Sequence, residues 1–363
     1  MAYLPLSTAN LPNPAIDPAQ GSSPQDYFNT VLWTGDDVVG RSITGVGFQP
    51  DFSWVKCRNT ARNHGFWDAV RGAGYFLSSN LTDAETDRTT AGLTSFISDG
   101  FTVGAGSEVN NTGETYVGWN WKANGSGVSN TDGSITSTVS ANTESGFSII
   151  TYTGNGTAGA TVGHGLNSAP EMIIIKARND TDSWPVYHVG NTYSGSPENS
   201  QLNLNSTTDG SGGATPAIWW NSTAPTSSVF SLGTNGGLNQ STELYVSYVF
   251  HSVEGFSKFG SYTGNGSADG AFVYCGFRPS FVMVKRTDST GAWIIKDSAR
   301  DTDNVVTQTL QPNTSNAESD DNHLDFLSNG FKCRLAQANT NASGGTYIYA
   351  CFSENPFKYS NAR

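Results

Sequence analysis

The chain has 363 residues, a net charge of −12 and only 19 lysines and arginines, which excludes a clustered basic surface for nucleic-acid phosphates. Aromatic residues reach 12% against 14% charged, with 41 glycines. So many rings cannot be left in water, so disorder is excluded and many short strands joined by tight turns are expected.

In chain order, residues 1–25 come first, with Pro5, Pro12, Pro14, Pro18 and Pro24. They are too proline-rich for regular structure and read as an extended arm. Such an arm has little core of its own, so its order would come from a partner, with Tyr3, Leu4, Leu6 and Leu11 as the apolar anchors. Met1-Ala2-Tyr3-Leu4-Pro5 lacks the basic and apolar regions of a signal peptide, and no run approaches transmembrane length, so completion in a cytosol is expected and membrane insertion is not.

After the arm, one phrase is written three times. Gly47-Phe48-Gln49-Pro50 leads into Phe52-Ser53-Trp54-Val55-Lys56, Ala169-Pro170 into Met172-Ile173-Ile174-Ile175-Lys176, and Gly276-Phe277-Arg278-Pro279 into Phe281-Val282-Met283-Val284-Lys285. The prolines stand 120 and 109 residues apart, so the unit is a domain large enough to own a core. The strand after each Pro is apolar on both faces, which places it in the middle of a packed sheet. Ahead of it, Trp33-Thr34-Gly35-Asp36, Tyr152-Thr153-Gly154-Asn155-Gly156 and Tyr262-Thr263-Gly264-Asn265-Gly266 read as strands ending in hairpin turns, because Asn and Gly tolerate positive φ.

Eighteen residues past each Pro stand Asp68, His188 and Asp297, and three further on Arg71, Asn191 and Arg300; Trp184 and Trp293 share an offset of fourteen. Ser98-Asp99-Gly100-Phe101 and Ser328-Asn329-Gly330-Phe331 form a third anchor. A closing strand follows at Tyr116–Trp121, Tyr245–Phe250 and Tyr347–Phe352, with aromatics alternating onto one face. No convincing helix appears; the best candidates, 83–88 and 314–322, are short acidic stretches.

The expected fold is all-β: three tandem antiparallel β-sandwich modules of jelly-roll or concanavalin-like type behind the arm. The boundaries are 26–122, a Gly/Ser/Thr linker at 123–145, 146–254 and 255–363, with the second junction stiffer than the first. A closed barrel is the alternative.

Candidate chemistry is sparse. The four cysteines lack metal spacing and do not repeat with the modules, so free thiols are expected. The five histidines form no ligand pair, the acidic pairs Asp180/Asp182 and Asp301/Asp303 match no EF-hand, and no catalytic residue, metal or cofactor is assigned. Asp68, Arg71, Asp297 and Arg300, with Pro50, Pro170 and Pro279, read as structural repeat positions: a carboxylate paired with an arginine to fix a strand end. Trp219-Trp220 has no counterpart in the other copies. Neighbours on a strand face opposite ways, so one ring would point outward, as a ligand platform or into an interface.

Several phrases together resemble repeat-built virion proteins of tailed phages of marine and cyanobacterial type. They are Leu6-Ser7-Thr8-Ala9-Asn10-Leu11-Pro12 leading into Asp26-Tyr27-Phe28-Asn29-Thr30-Val31-Leu32, the Tyr-Thr-Gly-Asn-Gly strands, Gly-Phe-x-Pro before an apolar-Lys strand, Asp68–Gly72, Ser98–Phe101 and Glu354-Asn355-Pro356-Phe357. The resemblance implies a virion component assembled in the host cytoplasm: a tail fibre or spike adhesin held to other virion proteins by its arm. Its distal modules would contact a host-surface glycan or protein, and it would form a homo-oligomer, a trimer in the manner of fibres. A capsid decoration protein is the alternative, and a glycan depolymerase the enzyme alternative.

Overall fold

The post-proline strands form at Phe52–Cys57, Met172–Ala177 and Phe277–Arg286 in the computed structural model, which describes residues 11–212, 215 and 217–359. Each lies third in an antiparallel run of four strands whose order is the same in every copy, a run that copy two extends to seven strands. The opening strands are Phe28–Thr34, Phe147–Thr153 and Ser257–Thr263, and next to them lie the closing strands Thr115–Trp121, Leu244–Phe250 and Thr346–Pro356. Beyond the post-proline strand comes a short fourth strand at Gly65–Asp68, Pro185–His188 or Ile294–Asp297. The architecture is all-β and antiparallel, as expected.

The two apolar faces of each sheet have different destinations. Val55, Ile175 and Val284 point outward, to a core between the sheet and a second, outer one. The outer sheets are Arg41–Thr44, Gly100–Val103 and Leu93–Ile97 in copy one, and Ala160–Gly163 with Val229–Leu232 in copy two. In copy three, Phe272–Tyr274, Gly330–Cys333, Ser319–Leu327 and Val306–Thr309 lie side by side in that order. Each copy is thus a sandwich.

The inner faces meet one another. Phe52, Trp54, Met172, Ile174, Phe281 and Met283 join a single core shared by all three copies. Phe52 stacks on Tyr248 of copy two with ring centres 4.4 Å apart. Phe250 of copy two lies 5.9 Å from Phe352 of copy three, and Phe281 of copy three lies 5.7 Å from Phe28 of copy one. The contacts run round a ring, one to two to three to one. Burying each such ring contributes roughly 1.5–3 kcal/mol, so removing one copy would expose a large share of what holds the other two. The strand is apolar on both sides because one side is its own sandwich and the other is the common axis.

The closing strand is likewise two-sided. Trp119, Trp121, Tyr248, Phe250 and Phe352 face the axis, while Tyr116, Tyr245 and Tyr347 face the outer cores. Aromatics therefore occupy both faces, not one.

Several expectations need correction. Residues 123–145 are not a free linker: Val128–Asn130 and Ser137–Asn142 pair onto the opening strand of copy two and extend its sheet. Val, Thr and Ser at alternating positions suit a strand edge as well as a linker. The Gly-Asn-Gly turns are crossings from inner to outer sheet, not hairpins, since Ala160–Gly163 pairs with Val229–Leu232 and not with the opening strand. Each crossing is held by a buried Asn, for the backbone amides of Asp36, Asn155 and Asn265 donate to Asn110, Asn239 and Asn341 at 3.2, 3.0 and 2.9 Å. The acidic stretches 83–88 and 314–322 carry strands at Thr86–Asp87 and from Ser319, and the two single helical turns are at Ala217–Trp220 and Gly236–Asn239. In the third anchor, a Cβ at Gly100 or Gly330 would stand 2.0 Å from the carbonyl oxygen of Ile43 or Val273, so only glycine fits the turn between the outer strands.

The described part of the arm is not extended and free. It holds 3-10 turns at Pro18–Gln20 and Pro24–Asp26, and Ile16 is buried in the shared core. Its order comes from its own chain: the Ala15 amide donates to Glu254 O at 3.3 Å, and Tyr359 Oη donates to Asp17 at 2.6 Å. The Gln25 side chain donates to Glu354 O. Leu11 and Pro12 lie beside Tyr274 and Phe357. Tyr3, Leu4 and Leu6 lie outside the described residues.

Candidate functional site

The recurring polar residues gather at the three seams between copies. At the seam of copies one and two, Asp68 Oδ2 accepts from Arg71 Nε at 2.5 Å and from Tyr248 Oη of copy two at 2.8 Å, while its Oδ1 takes the Val70 and Arg71 amides. At the seam of copies three and one, Asp297 accepts from Arg300 Nε at 2.5 Å and from Trp119 Nε1 of copy one at 2.9 Å. Both carboxylates are fully buried. Burial alone would push the Arg71 guanidinium down, but Asp68, Tyr248 and Glu85 hold it above its ordinary range and keep it charged.

The third seam uses a different group. His188 Nδ1 accepts from the Gly190 amide at 3.0 Å, which puts the proton on Nε2, and Nε2–H donates to Tyr349 O of copy three at 3.0 Å. Trp119, Tyr248 and Ala350 occupy matching places in the closing strands. The first two offer a donor to a carboxylate; alanine offers none, and the group that His188 meets is the backbone carbonyl of Tyr349. Burial pushes the His188 imidazole down to about 4, so it is neutral at physiological pH.

A second layer repeats the pattern. Glu85 bridges Arg71 at 2.8 Å and Arg178 of copy two at 2.8 Å, and Glu318 bridges Arg300 at 3.4 Å and Arg58 of copy one at 2.8 Å. The amides of Glu85, Gly210 and Glu318 donate across the seams to Arg178, Thr287 and Arg58 carbonyls at 2.6, 2.8 and 2.7 Å. Trp184 and Trp293 donate their indole N–H across the seams to Ser78 O and Asn203 O, each at 2.9 Å. His64 fills the same offset in copy one. Its Nδ1 accepts from Trp54 at 2.8 Å, so Nε2–H donates to Gln311 O of copy three at 3.0 Å. The lysines six past each Pro are buried too. Lys176 and Lys285 donate to Thr82 O and Thr207 O of the preceding copy, at 3.0 and 3.4 Å, and burial pushes Lys56, Lys176 and Lys285 down to about 8. Sequence reasoning paired Trp184 with Trp293 but missed His64, whose offset from Pro50 was the available signal.

Other expected features are differently placed. Trp219 and Trp220 sit on a helical turn, not a strand, so neighbouring side chains are about 100° apart and both can lean inward. Trp220 is buried against Tyr187 with ring centres 5.6 Å apart, and Trp219 Nε1 donates to Gly212 O at 2.7 Å. Trp220 is enclosed and Trp219 half-buried, so the expectation that a strand would turn one ring outward is not met. Pro50, Pro170 and Pro279 are buried, the first two just ahead of the post-proline strands and Pro279 inside its own. The four cysteines are buried and free. Among the described residues, no group of three or more His, Cys, Asp or Glu is placed to hold a metal, and no helix is long and apolar enough to cross a membrane.

Two open features remain. A polar cavity of about 870 Å³ lies where the arm meets copies one and two, lined by Asp26, Tyr27, Lys122, Glu144, His251 and Glu254 among others; Tyr27 Oη donates to Glu144 there at 2.6 Å. The other feature is on copy three. Phe272 and Tyr274 project from the edge strand of its outer sheet, 48% and 61% exposed, with buried Val273 between them. Matching register puts Ser42 and Thr44 there in copy one, and Thr161 and Gly163 in copy two.

Among curated proteins, none matches the chain. One family does, described as a domain of unknown function (DUF7483), over residues 23–356, and those limits enclose all three copies. The chain belongs to the DUF7483 family.

Proposed function

We propose that this chain is a structural component displayed on a tailed-phage virion, a fibre- or spike-type adhesin that is seated by one end and meets the host surface with its outer faces. The observation that carries the reading is the meeting of both ends of the described chain on a body whose three copies share one core. Pro14 packs at Gly255 beside Pro356, and Lys358 Nζ donates to Asn13 at 2.6 Å. A body locked by buried seams has little freedom to close on a substrate but holds loops and outer sheets in fixed positions. In this reading the threefold arrangement expected of a homotrimer is built within one chain. Imaging whole particles and measuring adsorption of the purified chain to host cells test the proposal: attachment at tail or spike with saturable cell binding supports it. Absence of cell binding together with placement on the capsid lattice would overturn it. That second outcome is the decoration reading, which the pseudo-threefold body favours because it matches the symmetry of a threefold lattice site.

A further inference from the structure

We propose that the outer face of copy three, centred on Phe272 and Tyr274, is a binding platform for a neutral polysaccharide chain; this deepens the host-surface reading above. Tyr274 is the most exposed aromatic ring among the described residues. Two positions apart on one strand, the two rings point the same way and stand about 6.5–7 Å apart along the strand. They lie on the edge strand of the sheet, where Leu11 and Pro12 of the arm flank Tyr274 and Phe272 stands at the far end of the pair. Phe272 faces Lys332, which faces Asp325, and Tyr274 faces Gly330, which has no side chain to block the ring's flank. This is a shelf of two rings bordered by groups that can hydrogen-bond.

The charges around the shelf select the ligand. Lys332 is paired with Asp269, and Arg334 with Asp325 at 3.5 Å. Charges already paired leave no net demand for an anion or a cation, yet they present oxygens and N–H groups to hydroxyls. Flat rings with a self-paired polar border suit a sugar ring, which is apolar on its C–H face and polar at its rim.

The three copies sharpen the assignment. Residues needed for folding recur at the seams, whereas the outward ring pair exists only in copy three. The serine and threonine of copy one hold the same register without rings, so the fold does not require them.

The test uses the full chain and the double variant Phe272→Ser with Tyr274→Thr, which installs the residues of copy one and should fold. Binding is measured by calorimetry and ligand-observed NMR against malto-, cello-, manno- and laminarihexaose. The expected result is saturable binding of at least one hexasaccharide by the native chain, weakened at least tenfold in the variant. Binding of none, or equal binding by both proteins, overturns the platform. Host-cell adsorption separates this from the broader reading. Adsorption unchanged in the variant overturns the platform and leaves the adhesin reading standing. Sugar binding by a chain that does not adsorb to cells leaves the platform and removes the adhesin reading. Adsorption lost in the variant but indifferent to competing hexasaccharide and to periodate treatment of the cells means a protein partner and overturns the proposal. A native dimer that the variant dissociates means a copy-to-copy interface and overturns it as well.

Discussion

Two of the seams are built from a buried Asp–Arg pair and the third from a neutral histidine, although all three do the same job. The difference follows the residue across the seam. Trp119 and Tyr248 present N–H and O–H donors, and each meets a carboxylate whose charge is balanced by the arginine three residues on. Ala350 presents nothing, the Tyr349 carbonyl takes its place, and a histidine N–H meets it. Once the anion is gone the arginine is not needed, and Asn191 stands in its position, donating to Gly210 O at 3.2 Å. A motif that looks degenerate in one repeat is the same contact rebuilt with donor and acceptor exchanged.

The largest way to break this comparison is to put the wrong charge in a seam. His188→Asp would bury a carboxylate against a carbonyl with no arginine beside it, and Arg71→Ala would strand Asp68. Each should cost about 3–5 kcal/mol in urea unfolding; a loss below about 1 kcal/mol would mean that the seams contribute little. Acid should separate the neutral seam next. The His188 imidazole is at about 4 when folded against an ordinary 6.5, so the unfolded chain binds the extra proton between those values. Its stabilising share is therefore intact above pH 6.5 and lost as pH falls toward 4, on the order of 3 kcal/mol in all. The difference in unfolding free energy between the native chain and His188→Gln should shrink by that amount across the window, and a constant difference would contradict it.

A smaller effect is expected from Trp184→Phe, which keeps most of the ring but leaves the Ser78 and Leu81 carbonyls without their donor: about 1–2 kcal/mol by the same unfolding measurement. The smallest is expected on the outer face, where Phe272→Ser with Tyr274→Thr should shift stability by less than about 1 kcal/mol, because about half of each residue's surface is already in water. A large loss there would make the rings part of the scaffold.

Much of the scaffold was legible because strand periodicity and repeat spacing are local. The two-faced strands at Phe52, Met172 and Phe281 announced a second packing partner, but nothing in one copy says whether that partner is its own outer sheet, a neighbour or both. The common axis is a long-range fact, carried by Phe52 on Tyr248 and Phe281 on Phe28. Residues 123–145 were obscured because Ser, Thr and Val serve a linker and an edge strand equally well. Trp219-Trp220 misled because the inference assumed a strand. Phe272 and Tyr274 were hidden in plain composition: alternation marks which residues share a face, but exposure depends on whether another sheet covers it.

The central claim is that three copies form one body around a shared core and fold as a unit. Native-state hydrogen exchange on the closing strands Thr115–Trp121, Leu244–Phe250 and Thr346–Pro356 tests it most directly. The account predicts that the most protected amides of all three strands open with the same free energy and shift together when Arg71→Ala is introduced at a single seam. If one strand opened independently while the other two kept their protection, the copies would be separate domains and the shared core would not bind them into one.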